Sequence, residues 1–194
     1  MATTLQVLRE HPRACQYLPG REASLDLRVM TDVSAAELEA LLERGWRRFG
    51  PTYFRPACAT CTACESLRIV TNAFHPTASQ RRARRHASPL VRQVARPVVD
   101  TERLELYARW HRDREAARGW DPNPMNPKHY ALDFAFPHES VREVTFRTAA
   151  PDDRLVGVGI VDQTPHALSA VYFFWDPAHA PASLGVAHIV MLVE

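Results

Sequence analysis

The chain has 194 residues, 46% hydrophobic and 24% charged, with a formal net charge of +2. That length holds one large domain or two small ones, and the composition excludes a largely disordered chain. The longest uninterrupted apolar run, Leu155 to Val161, is too short to cross a bilayer, and Met1 to Arg13 carries no signal-peptide core. A soluble cytoplasmic protein without membrane contact is expected, and in that compartment its four cysteines stay reduced.

The small net charge conceals an asymmetry. Residues 1–99 carry 15 arginines against 8 acids, a net +7, whereas residues 100–194 carry 9 basic against 14 acidic residues, a net −5. Lys128 is the only lysine. An arginine excess follows from coding bias alone, but bias does not gather it in one half. The first half is the better candidate for an anionic partner.

In chain order, the first readable helix is Ser34 to Arg44. Ser34 and Glu37 form a capping box, Leu38, Leu41 and Leu42 a stripe, and Gly45 a stop. A Pro- and Cys-rich loop is expected over Pro51 to Cys64, then a strand from Ser66 to Val70. Ala78 to His86 reads as an arginine-dense helix and Val91 to Val99 as an edge strand, because Pro97 cannot donate to a ladder. A longer helix, Thr101 to Arg118, is capped by Asp100 or Thr101 and stopped by Gly119. Three prolines stiffen the Asp121 to Pro127 loop. Val141 to Thr148, Leu155 to Asp162 and Leu168 to Trp175 then form an antiparallel meander. Ser183 opens a last helix, apolar on nearly every side over Ile189 to Val193, which belongs in an interior.

Three constellations can carry chemistry. Cys58, Cys61 and Cys64 are spaced by two-residue gaps, and Cys15 supplies a fourth thiol. Such a set can hold zinc or an iron–sulfur cluster; the bland reading is four reduced cysteines packed at a loop. Gln80 precedes four arginines in five positions: Arg81, Arg82, Arg84 and Arg85. On a helix, Arg81 or Arg82 shares a face with Arg85, so two guanidiniums can converge on one phosphate or carboxylate. Arg47, Arg48, Arg55 and Arg68 would extend that basic surface, although basic runs also occur on solvated faces. Third, the aromatic run Tyr172 to Trp175, ending at Asp176, leads to a helix start at Ser183, Leu184 and Gly185. Backbone N–H groups there suit an anion or a developing oxyanion. The aromatics can stack a base or fill a core.

Taken together, these stretches resemble one family. They are Cys15-Gln-Tyr-Leu-Pro-Gly-Arg21, Gly45-Trp-Arg-Arg48, Phe54-Arg-Pro-Ala-Cys58 with its two following cysteines, and Ser79-Gln-Arg-Arg82. Leu168 to Phe174, Asp176-Pro177 and Ser183-Leu184-Gly185 complete the set. The pattern is similar to the aminoacyl-tRNA–protein transferases, which include arginyl-tRNA–protein transferases and the bacterial aspartate/glutamate leucyltransferases. The resemblance implies an α+β chain in two domains. A small cysteine-bearing α/β domain would span residues 1–75. A GNAT-like acyltransferase domain with an antiparallel meander would span 76–194, cut short before the family's next strand.

The implied reaction moves leucine or arginine from charged tRNA onto the N-terminal amine of proteins beginning with Asp or Glu, tagging them for degradation. An aminoacyl ester is already activated, so alignment and oxyanion stabilisation suffice; no covalent nucleophile is needed and no catalytic residue is assigned. Arg55, Gln80, Arg81, Arg82, Tyr172, Asp176, Ser183, Leu184 and Gly185 are the candidate substrate-binding residues. Cys15, Cys58, Cys61 and Cys64 are the candidate metal ligands. No cofactor is required for the chemistry, and a monomer is expected. The chain departs from the family at His86, where Asn is common, and at Phe49, where Ser is common. A GNAT-type N-acetyltransferase using acyl-CoA and a non-catalytic RNA- or protein-binding module remain alternatives.

Overall fold

A computed structural model describes residues 1–194. The first strands are β1 (Thr3–Arg9), β2 (Arg13–Ala14), β3 (Glu22–Ala23) and β4 (Leu25–Thr31). They are followed by helix α1 (Ala35–Glu43) and the hairpin strands β5 (Arg47–Phe49) and β6 (Thr52–Pro56). Together β1, β4, β6 and β5 form an antiparallel sheet in that order, while β2 and β3 pair separately. The capping box at α1 is formed on both sides: Ser34 accepts from the Glu37 N–H and Glu37 from the Ser34 N–H. Glu37 also accepts from the Ala2 N–H at 3.1 Å, fastening the amino terminus to the helix. Met30, Val33, Leu38, Leu41, Trp46 and Tyr53 make the core beneath α1.

The second half contains α2 (Ala78–Ala87), β7 (Val91–Ala95), α3 (Thr101–Arg118), α4 (Pro127–Asp133), β8 (Val141–Arg147), β9 (Leu155–Gln163), β10 (Leu168–Trp175) and α5 (Leu184–Val193). Its sheet has the order β10-β9-β8-β7 and is antiparallel throughout. Helices α3 and α4 cover one face through Leu106, Tyr107, Trp110, Tyr130 and Phe134. Helices α2 and α5 cover the other through Ala83, Ala87, Leu184 and Ala187. Covered on both sides, β9 is buried from Leu155 to Asp162, which explains its unbroken apolar run. Within it Gly159 gives room to α5, since a Cβ there would lie 2.5 Å from the His188 ring.

The helix limits follow the sequence signals closely. Asp100 caps α3, and Gly119 ends it in the left-handed region at φ 64°. The mixed α/β architecture is the expected α+β class, and the three-strand meander forms as read. Other expectations fail. Residues 66–70 form no strand, because nothing pairs with them and their side chains are exposed. The expected Pro51 to Cys64 loop contains β6, which pairs on both edges. Helix α5 is half-buried rather than interior, with Val186 and Ile189 on its exposed side.

The halves meet at a seam around β5. Arg48 Nε donates to Asp162 Oδ2 at 3.0 Å, its Nη2 donates to the second carboxylate oxygen, and its Nη1 donates to the Gly50 carbonyl. The two side chains are 4% and 1% exposed. Gly50 sits at φ 51° and its N–H donates to the Asp133 carbonyl at 3.0 Å. Phe49 packs edge-on against Phe134 and Tyr172 across the same seam. At its rim, Glu39 on α1 accepts from the backbone N–H of His166 at 2.8 Å.

Candidate functional site

A hollow of about 1270 Å³ opens beside β3, β4 and β6. Its walls include Cys15, Cys58, Cys61 and Cys64, so the fold brings all four thiols to one hollow from segments far apart in sequence. Backbone N–H groups of Tyr17 and Leu18 pull the Cys15 thiol below its ordinary pKa. Cys58 leans on the Ser24 carbonyl at 3.8 Å. Four thiols are suitable donors for a soft metal, yet no three His, Cys, Asp or Glu side chains are grouped as ligands. As placed, the residues do not fit a zinc ion or cluster, and the convergence expected from the spacing is not formed.

The same hollow is walled by Arg9, Arg13, Arg44, Arg47 and Arg55. Arg9 and Arg55 share Asp26, at 2.7 and 3.2 Å, and Arg13 pairs with Glu10 at 2.9 Å. Arg55 also lies over the Trp46 ring at 4.9 Å, with Arg28 over the same ring at 4.5 Å. Arg44 and Arg47 have only backbone carbonyl partners. Burial, with Arg68 adding repulsion, pulls the Arg47 pKa below its usual value. Arg48, read from sequence as part of this basic surface, is instead consumed in the seam.

The second candidate region lies where β10 runs out. A bulge between Ala170 and Tyr172 shifts the register of this edge strand, and Tyr172 joins Tyr107, Trp110 and Phe134 in an aromatic layer. Burial, with the neighbouring Tyr107, pushes the Tyr172 phenol up. Asp176 caps the short 3-10 turn Pro177–Ala182, accepting from the Ala178 N–H at 3.0 Å, with Arg109 3.8 Å away. Arg114 lies over Trp175 at 5.6 Å. Ser183 then adopts a left-handed φ of 50° and makes no side-chain cap. Helix α5 therefore begins without a side chain bonded to its first N–H groups, with Leu184 buried and Gly185 packed beside Phe173 and Trp175.

Gln80, Arg81 and Arg82 belong to neither place. Gln80 completes a capping box with Thr77, its amide oxygen accepting from the Thr77 N–H at 2.7 Å. Arg81 donates to the Pro76 carbonyl, and Arg82 is exposed without an acidic partner. Neither arginine lines the cysteine hollow. Of the three arginines read as candidates for the acceptor carboxylate, Arg55 lines the hollow, and Arg81 and Arg82 lie on α2.

Two family profiles match the chain. Residues 13–82 match the profile "Arginine-tRNA-protein transferase, N terminus", and residues 102–194 match "Arginine-tRNA-protein transferase, C terminus". The chain belongs to the arginine-tRNA–protein transferase family. Curated relatives agree along nearly its whole length. An aspartate/glutamate leucyltransferase of Helicobacter hepaticus is 31% identical over 183 residues, covering 94% of this chain and 75% of the relative. Proteins of the same description from Aeromonas hydrophila and Aeromonas salmonicida are 36% and 37% identical, each covering 93% of this chain and 74% of the relative. No helix of this transferase is long and apolar enough to cross a membrane.

Sequence reasoning missed what α3 brings to this transferase: Arg109, Trp110 and Arg114 reach the end of β10 from a helix read only as scaffold. Trp110 meets Trp120 edge-on and Trp175 at a tilt there. A spacing of three to four residues in α3 was the available signal. One buried histidine, His188, and one half-buried, His138, were missed as well. Burial pushes His138 and His188 down to about 4, with Arg48 and Arg92 respectively adding repulsion. Both His188 ring nitrogens lack a partner.

Acid sensitivity follows. Between the ordinary 6.5 and about 4, the unfolded chain binds protons at these rings that the folded transferase does not. Folding stability therefore falls as pH drops through that window, His188 alone contributing roughly 3 kcal/mol by its lower end. Urea midpoints measured from neutral to acidic pH should decline, and His188→Leu should flatten that decline. Parallel declines in both proteins would remove His188 as a cause.

Proposed function

We propose that this chain transfers leucine from leucyl-tRNA to the α-amino group of proteins whose first residue is Asp or Glu. The observation carrying this reading is the similarity to aspartate/glutamate leucyltransferases across 93–94% of the chain, through both halves and the seam between them. Leucine is chosen over arginine because these relatives carry leucine in their description.

Two features of the fold support a division of labour, with residues 1–75 receiving the acceptor protein and 76–194 the aminoacyl ester in a GNAT-like arrangement. The arginine-walled hollow suits a short acidic N-terminus. Arg47, held only by carbonyls, grips the Asp or Glu carboxylate as a charge-assisted pair, with Arg44 and Arg55 adding to the local field. In the other half, the start of α5 after Ser183 offers the N–H groups of Leu184 and Gly185 to the tetrahedral oxyanion, the Ser183 N–H itself being spent on the Ala180 carbonyl. The aromatic layer at Tyr172 and Trp175 gives the aminoacyl end an apolar wall.

The step needs little more. The amine attacks the ester carbonyl carbon, the bond to the tRNA ribose oxygen breaks, and that oxygen takes up the proton the amine gives away. An α-amine with a reference pKa of about 7.7–8.0 is partly neutral near pH 7, so positioning supplies most of the acceleration.

Peptides beginning Asp, Glu or Ala, incubated with the protein and leucyl- or arginyl-tRNA, test this by intact mass. A leucine-sized gain on the Asp and Glu peptides alone is expected. Arg47→Ala should raise KM for the Asp peptide about tenfold or more with kcat little changed, and Arg47→Lys should recover part of the loss. An arginine-sized gain would replace the donor; no gain with any donor would overturn the reading.

A further inference from the structure

The arginines of α2 are left over by the site just described, and their placement has its own logic. Ala83 and Ala87 fix the helix against Leu184, Ala187 and the Pro177–Ala182 turn, so α2 abuts the segment that leads into the α5 start. Its other side presents Arg81, Arg82, Arg84 and Arg85 to solvent. Only Arg84 has an acidic partner, Glu194. Arg82 and Arg85, three residues apart and so neighbours on the helix surface, have none.

Like charges packed this closely repel one another and weaken the helix that carries them. Arg84, Arg85 and His86 at least lie in the last turn, where the helix dipole favours cations. Arg81 and Arg82 lie toward the other end and gain nothing from it. An exposed helix face is poorly shaped to enclose a single small carboxylate. It is well shaped for a row of phosphates running along an outer surface.

We infer that the α2 face carrying Arg82 and Arg85 is the docking surface for the phosphate backbone of the tRNA acceptor arm, holding the RNA beside the α5 start. This rests on the proposed transfer reaction only for the identity of the RNA. The arginines position the donor and take no part in bond making. Side chains from this face reach phosphates, not bases, so the contact is insensitive to sequence and sensitive to salt.

The test is binding, read separately from transfer. Fluorescently labelled, uncharged leucine tRNA is titrated with the full chain and with Arg82→Ala/Arg85→Ala, across salt from about 50 to 200 mM. The double variant should bind about tenfold more weakly at the low-salt end, and the slope of log K against log salt should shrink by about 2. At saturating charged tRNA its KM for the Asp peptide should match the parent. Arg82→Lys/Arg85→Lys, which keeps both charges, should bind nearly as the parent does.

Unchanged affinity and slope in the alanine variant would overturn the inference even if the parent transfers leucine. A raised peptide KM with unchanged tRNA binding would also overturn it, returning these arginines to the acceptor protein. Salt-dependent binding lost in the variant would support the docking surface even if no transfer is seen. Because both side chains are exposed and α2 packs through alanines, matching thermal melts are expected and serve as the folding control.

Discussion

Replacing Arg48 by alanine is expected to cost about 3–5 kcal/mol of folding stability, the range for removing one partner of a buried ion pair. That is a large fraction of the roughly 5–15 kcal/mol that holds a typical chain folded. The cause is Asp162, 1% exposed and bonded twice to this guanidinium. Burial pushes the Asp162 carboxyl above its ordinary pKa, and Arg48 is what opposes that shift. Without it the carboxylate is either charged and unpaired in the interior or protonated beside a void. The Gly50 carbonyl loses a donor as well. Urea unfolding measures the loss. Replacing both partners by leucine should recover much of it, since paired apolar residues avoid desolvation altogether. A single-variant loss below about 1 kcal/mol, the value of a surface pair, would show that the seam does not depend on this contact.

Gly50→Ala should cost about 3 kcal/mol, combining left-handed backbone strain with overpacking. Its φ of 51° is one that L side chains rarely adopt, and an added Cβ would fall 1.9 Å from the Leu132 carbonyl oxygen. Backbone cannot swing aside as a side chain does, so α4 must retreat from β5. The hydrogen bond from Gly50 N–H to the Asp133 carbonyl then stretches, and Phe49 loses its fit against Phe134. The variant is expected to lose transfer activity in proportion to the folded protein lost, because this contact joins β5 to α4 across the seam. A melting temperature within a degree of the parent would refute the clash.

Much of this fold was legible where local rules decide. The Ser34–Glu37 capping box, the Asp100 and Gly119 limits of α3, and the three-strand meander all formed as their residues dictate. The first sheet was not legible for a physical reason. Strand β1 is exposed from end to end, and β6 hides among prolines and cysteines. Tertiary pairing, not propensity, makes them strands. For the site, the cysteines were found by spacing, but their failure to close on one point is a matter of loop geometry. Arg48 looked like its surface neighbours Arg47 and Arg55. Only a partner 114 residues further on reveals it as interior.

That separation has an evolutionary consequence. A guanidinium and a carboxylate that neutralise each other inside the molecule cannot drift independently, because each single change passes through an intermediate with a bare buried charge. Positions 48 and 162 are therefore bound to change as a couple or not at all. The two halves of the gene are tied together there, and recombination that separates the couple would yield chimaeras with a weakened seam.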